Sequence, residues 1–85
     1  MSKPSPSIDL ERRQPDRNMA RFYCLSVEHD LFGTVLALRR WGRIGTTGRT
    51  LSMAHLTPDA AWIELRKLEQ AKRRRGYVDR PAAGS

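Results

Sequence analysis

Only one cysteine, Cys24, occurs in the 85 residues. No internal disulfide can therefore staple the fold, and a reducing, cytoplasmic setting is the expectation. Cys24, His29 and His55 lack the paired spacing that zinc sites need. No apolar stretch reaches the length of a signal-peptide core or a membrane span, so no membrane partner is expected. The glycines form neither a Walker loop, which ends in Gly-Lys-Ser/Thr, nor the Gly-rich dinucleotide fingerprint, and no internal repeat is present. Catalysis requires a nucleophile or an acid–base pair with an orienting partner in a concave site. Ser26, His29 and Asp30 are close in sequence but fall at a strand end and a turn, where neighbouring residues rarely supply triad geometry. The expectation is a chain that is not an enzyme and carries neither cofactor nor metal.

Apolar residues are also scarce, at 39%, and they concentrate after Met19. The first eighteen residues hold Pro4, Pro6 and Pro15, with Ile8 and Leu10 the strongly apolar residues besides Met1. Such a stretch buries too little surface to offset its ordering entropy, and residues 1–18 read as a flexible tail. Pro81-Ala82-Ala83-Gly84-Ser85 reads as a disordered C-terminus. The folded domain is then expected over residues 19–80, about sixty residues, near the lower limit for a core without staples.

Positive charge is what the chain does have. Formal net charge is +7 and the pI near 10.8. Within the first eighteen residues Lys3, Arg12, Arg13 and Arg17 nearly balance Asp9, Glu11 and Asp16, so +6 falls on the rest. A small domain this basic favours polyanionic partners.

Arg21 to Val27 is rich in aromatic and β-favouring residues and reads as a strand, with Phe22 and Cys24 on one face and Tyr23, Leu25 and Val27 on the other. Gly33 marks a turn, and Thr34 to Leu38 form a second strand running into Arg39-Arg40-Trp41. Arg43 to Thr46 reads as a short strand and Thr47-Gly48-Arg49 as a turn, followed by a strand over Leu51–Leu56. Thr57-Pro58-Asp59 starts a helix: threonine caps, proline takes the first helical position, and aspartate meets the positive end of the dipole. That helix should run from Pro58 to about Arg75, with Gly76 ending it. Ala61, Leu65 and Leu68 form its apolar stripe, flanked by Trp62, and Lys72 falls on the stripe near its end. His55 is expected to face solvent or cap the sheet. Tyr77-Val78 would add a short edge strand. The architecture expected is α+β, a small antiparallel β-sheet of three to five strands with one α-helix packed on a face.

The functional signal lies in Arg39-Arg40-Trp41-Gly42-Arg43, with no acid nearby. An indole offers a flat face to a base or sugar, guanidinium groups offer forked donors to phosphate oxygens, and glycine lets backbone approach closely. Lys72-Arg73-Arg74-Arg75 is a basic run in the last helical turn. One or two cations would suffice to complement the helix dipole; four continue the basic balance of the domain and suggest a phosphate-facing patch. The candidate nucleic-acid-binding residues are Arg39, Arg40, Trp41, Gly42, Arg43, Arg49, Lys72, Arg73, Arg74 and Arg75.

Arg40-Trp41-Gly42-Arg43-Ile44-Gly45-Thr46, then Gly48, then a helix opening Thr57-Pro58-Asp59-Ala60-Ala61 and closing Lys72-Arg73-Arg74-Arg75-Gly76-Tyr77, resemble the WGR domain family. This module is best known from poly(ADP-ribose) polymerases. Phe22-Tyr23 and Leu31-Phe32-Gly33 fit as well, and the likeness spans about Arg21 to Val78. It implies an antiparallel sheet crossed by a helix and a role at DNA breaks, with Trp41 packing on a strand-end sugar and Arg43 contacting DNA or a neighbouring domain. The chain has no zinc-finger cysteines and no length for an ADP-ribosyl transferase domain, and it looks like the short stand-alone bacterial members.

Two readings follow. In the first, the domain binds DNA, with strand ends favoured and little sequence preference, and serves beside a DNA-processing enzyme or other protein. In the second it is a protein–protein docking domain anchored by Trp41 and Arg43, residue types favoured at interface hot spots.

Overall fold

The computed structural model describes residues 7–81. Five strands and one long helix follow in the order β1 (Ser7–Gln14), a 3-10 turn (Pro15–Arg17), β2 (Met19–His29), β3 (Val35–Arg43), β4 (Arg49–His55), α1 (Pro58–Arg74) and β5 (Val78–Asp79). The strands form one antiparallel sheet in the order β4-β3-β2-β1-β5. With α1 packed across one face against β2, β3 and β4, the architecture is α+β, as expected. Among the described residues no helix is long and apolar enough to cross a membrane.

Period-two alternation selects the core. Tyr23, Leu25 and Val27 of β2 meet Val35 and Ala37 of β3, and Ala61 and Leu65 of α1 close over them. Leu10, Leu25 and Leu65 are essentially inaccessible to water; each such side chain contributes about 1.5–3 kcal/mol by burial. Leu68 and Trp62 are half-buried against this cluster. The helix begins as its sequence dictates: Thr57 is extended and its hydroxyl accepts from the Ala60 N–H at 3.1 Å. It stops at Gly76, whose φ is +99°. Thr57→Ala should cost about 1 kcal/mol, a fall of about 4–8 °C in the thermal midpoint followed by circular dichroism.

Two expectations need correction. Ser7–Gln14 is not a tail but strand β1, paired with β2 along eight positions from Ser7↔Ser26 to Gln14↔Met19. Ile8 and Leu10 lie on the helix side, and Leu10 is fully buried. Two apolar side chains spaced by two, with a neighbour strand to supply hydrogen bonds, suffice to order a segment whose composition alone looks disordered. Residues 1–6 of that expected tail, and 82–85 of the expected disordered C-terminus, lie outside the described residues. Second, Arg43–Thr46 is not a separate strand. β3 runs through Arg43, and the chain then turns over Ile44–Gly48, with Thr46 donating from its N–H (3.0 Å) and hydroxyl (2.7 Å) to the Arg43 carbonyl.

The β2–β3 turn is held by Asp30, whose carboxylate accepts from the Phe32 and Thr34 N–H groups at 2.8 and 2.9 Å. These bonds hold its pKa below the ordinary aspartate value. His55, at the end of β4, is half-buried rather than open to solvent.

Candidate nucleic-acid interface

Register decides which motif side chains share a surface. Arg21↔Arg43 and Tyr23↔Trp41 are directly paired across β2 and β3, and Trp41↔Arg49 across β3 and β4. Arg39, Trp41, Arg43 and Arg49 therefore lie on the helix side of the sheet. The helix covers the middle of that face and ends at Lys72–Arg74, leaving the end of the sheet near Trp41 uncovered. There a cleft of about 490 Å³ opens.

Its floor is aromatic. Trp41 is half-buried and stacks on Tyr23 with ring centres 6.1 Å apart and planes 26° apart. Tyr77 meets Tyr23 edge-on at 6.3 Å. The walls are cationic. Lys72 comes from the helix and sets its ammonium 4.6 Å from the Tyr23 ring centre and 5.6 Å from that of Tyr77. The Arg39 guanidinium lies 5.6 Å from the Trp41 ring centre, within cation–π range. Arg17, Arg21 and Arg43 complete the lining, and no carboxylate among the described residues contributes to it.

An uncompensated cation cluster has an electrostatic signature. Burial pushes the Lys72 ammonium below the ordinary lysine pKa, and the guanidiniums of Arg75, Arg39 and Arg21 push it further down. The unfolded chain therefore binds this proton more tightly than the native one. Charged Lys72 costs native stability below its depressed pKa, and the deficit shrinks as pH rises through it. An anion in the cleft would reverse both effects. Lys72→Met is expected to reduce the salt slope of polyanion binding by about 1, without lowering the thermal midpoint of the free protein. Titrations at several salt concentrations alongside melting curves check both.

Trp-Gly-Arg is thus split by function. Trp41 supplies the platform. Gly42 has no unusual φ; its missing side chain leaves room for the Cα of Gly48, which would sit 2.8 Å from an added Cβ. Arg43 donates to the carbonyl of Asn18 at 3.4 Å and to its side-chain oxygen at 3.3 Å, tying the 3-10 turn to the end of β3.

Other expected contacts are placed elsewhere. Arg40 pairs in register with Cys24 and Thr50 and lies on the opposite face, with its guanidinium 5.4 Å from the Phe22 ring centre. Arg73 is engaged by Glu69 at 2.9 Å and by Asp79 at 2.6 Å. Both partners raise its pKa, so it braces the helix end against β5 rather than facing the cleft. Arg74 is exposed, two residues and about 200° around the helix from Lys72. Arg17, Arg21 and the aromatic pair Tyr23 and Tyr77 were not among the sequence candidates. Only strand pairing, which places Arg21 opposite Arg43, brings them to the site.

The chain belongs to the WGR domain family, whose model matches residues 7–84. In poly(ADP-ribose) polymerase-like proteins this domain is a nucleic-acid-binding module. The chain is also 48% identical over 75 residues to the uncharacterized protein y4dW of Sinorhizobium fredii; the match covers 86% of this chain and 36% of that protein. It thus spans about a third of that relative's length. No solved structure matches.

Proposed function

We propose that this domain is a non-enzymatic bacterial module that holds DNA in the Trp41 cleft, favouring strand ends and reading little sequence, in the cytoplasm beside a DNA-processing enzyme. The observation that carries this reading is the acid-free cleft in which a Trp41–Tyr23 stack is ringed by Lys72, Arg17, Arg21 and Arg43, with the Arg39 guanidinium beside the indole. A phosphate has cations to meet, and a sugar or terminal base has an indole to cover it. An internal duplex nucleotide, stacked on both sides, offers Trp41 no free face, which is why an end should be preferred. α1 lies along the sheet with Ala61, Leu65 and Leu68 inward, and the cleft residues are matched to phosphate, sugar and a terminal base rather than to groove edges; little sequence readout is accordingly expected.

Affinity would come mostly from counterion release. With about four phosphate contacts, log K should fall with log salt at a slope of about −3 to −4. The test is a titration at two salt concentrations against two duplexes of one sequence, one with open 5′-phosphorylated ends and one capped by hairpins. Tighter, salt-sensitive binding to the open duplex supports the reading. Equal binding leaves an electrostatic binder without end preference, and no binding at low salt transfers the function to protein docking through Trp41 and Arg43.

A further inference from the structure

The two edges of the sheet are finished differently. Beyond β1 the sheet ends in β5, only two residues long and paired with Leu10 and Glu11. Its Asp79 is locked to Arg73, the following Arg80 is folded back toward Glu11 and Phe22, and the rest of the β1 edge carries Asp9, Arg12 and Arg13. Such a short, charged edge resists further pairing. The opposite edge is β4, seven residues, Arg-Thr-Leu-Ser-Met-Ala-His, and along it stand none of the usual guards. It has no proline and no acid, and its one full charge is at its first residue. Almost every residue in it is exposed. Leu51 and Met53 remain 41% and 51% accessible, on the helix side, lining a small recess with Ala37, Leu65 and Leu68 and with Arg39 and Glu64. An exposed, unprotected edge of this kind is a template for another strand.

The sequence of β4 also fits its own reversed copy. We propose that β4 pairs antiparallel with β4 of a second copy of this chain, centred on Ser52. In that register Ser52 faces the partner's Ser52, Leu51 faces the partner's Met53, and Met53 faces the partner's Leu51. Thr50 faces the partner's Ala54, and Arg49 faces the partner's His55. Apolar meets apolar, small meets small, and no two full positive charges stand opposite each other, although the chain carries +7. The four Leu and Met side chains form one strip on the helix side, since Met53 and Leu51 pair within the chain with Ala37 and Arg39 of that face. The two five-stranded sheets become continuous.

The pairing has a consequence for the cleft. Tyr23, Trp41 and Arg49 already stand in one cross-strand row. Pairing extends that row with the partner's His55. Because the two-fold axis runs perpendicular to the sheet, both helices and both Trp41 clefts face the same side. A dimer thus presents two polyanion sites on one surface, and one nucleic-acid molecule that reaches both gains from the effective concentration. One strand pair and four apolar side chains make a small interface, so the free protein should dimerise weakly and reversibly.

Crosslinking tests the register and sedimentation tests the association, both without nucleic acid, so that they are independent of the DNA-binding reading. In a Cys24→Ser background, Ser52→Cys places two thiols across the axis with Cα atoms about 4.5–5.5 Å apart, within disulfide reach. Thr50→Cys places them four residues apart along the strands, about 14 Å, and out of reach. Mild oxidation should convert Ser52→Cys to a covalent dimer and leave Thr50→Cys uncrosslinked. Sedimentation velocity of the native sequence should show concentration-dependent dimerisation that Met53→Lys abolishes with an unchanged circular dichroism spectrum. Equal crosslinking of both cysteine variants, or a native chain that stays monomeric at every accessible concentration, would overturn the proposal.

Discussion

Replacing Trp41 with alanine should weaken binding to an open-ended duplex about tenfold or more, and binding to a hairpin-capped duplex distinctly less. The estimate rests on stacking, which alanine substitution values at about 1–3 kcal/mol per base. The capped duplex keeps the phosphate contacts of Lys72, Arg21 and Arg43 but offers Trp41 no terminal sugar or base. The substitution also acts on the fold, because Trp41 is half-buried, stacks on Tyr23 and packs against the core cluster. A lower thermal midpoint is therefore expected, and affinity must be measured well below it. Trp41→Phe separates the two effects, since it keeps an aromatic face and most of the packing. That variant should retain most end preference, whereas loss of affinity by an equal factor on both duplexes in Trp41→Ala would remove the stacking role.

The second large effect is structural. Gly48→Ala should destabilise the domain by about 3 kcal/mol or more, enough to abolish most of its cooperative unfolding transition. Gly48 has φ +75°, and an added Cβ would sit 2.4 Å from the carbonyl oxygen of Trp41 and 2.7 Å from the Phe22 ring. The first contact is with backbone and cannot be relieved by a rotamer change. Gly45→Ala is the matched control. Its φ is +95° but nothing lies within 4 Å, so only the left-handed backbone strain remains, about 1–2 kcal/mol. Urea unfolding of both variants measures the difference. Similar losses would mean that the loop yields and that the Gly42–Gly48 contact does not position Trp41.

That contact explains how the motif works with so small a core. Phe22 points away from the helix yet is only 2% accessible, because the Ile44–Gly48 turn folds across Gly42 and covers it. The Arg40 and Arg80 guanidiniums approach the same ring at 5.4 and 5.8 Å. The glycines therefore serve packing beneath the platform, on the side of the sheet opposite the cleft. Trp41 is held from below by this plug and from the side by Tyr23.

How far the chain could be read before folding follows from which interactions are local. The helix start needed only Thr57, Pro58 and Asp59, and the stripe Ala61, Leu65 and Leu68 needed only the helical period. Both stand in the structure as expected, with Lys72 at the stripe's end reaching the aromatic floor. β1 escaped because its order is borrowed. Ser7–Gln14 has two apolar anchors, and its hydrogen bonds come from β2, which composition cannot see. Within that strand the Ile8-x-Leu10 alternation was the available signal, outweighed by Pro4, Pro6 and Pro15. The site was half legible for a similar reason. Adjacent arginines look equivalent in sequence, but strand alternation sends Arg39 to the helix side beside Trp41 and Arg40 to the far face. Arg73 looked like its neighbours in the basic run until Asp79, brought round by β5, claimed it. Arg21 gave no sign of function until register set it opposite Arg43.

The most direct test of the cleft uses the two tryptophans. Trp41 lines it, whereas Trp62 lies toward the other end of the helix, lining a shallow groove with Ser7 and Ile8. A proton–nitrogen NMR titration with a short open-ended duplex resolves both indole N–H signals. The Trp41 indole should shift strongly, together with the backbone amides of Arg21, Arg43, Lys72 and Tyr77, while the Trp62 indole stays in place. Shifts centred instead on Leu38, Arg40 and Thr50 of the opposite face, with the Trp41 indole unmoved, would contradict the assignment of the cleft as the nucleic-acid site.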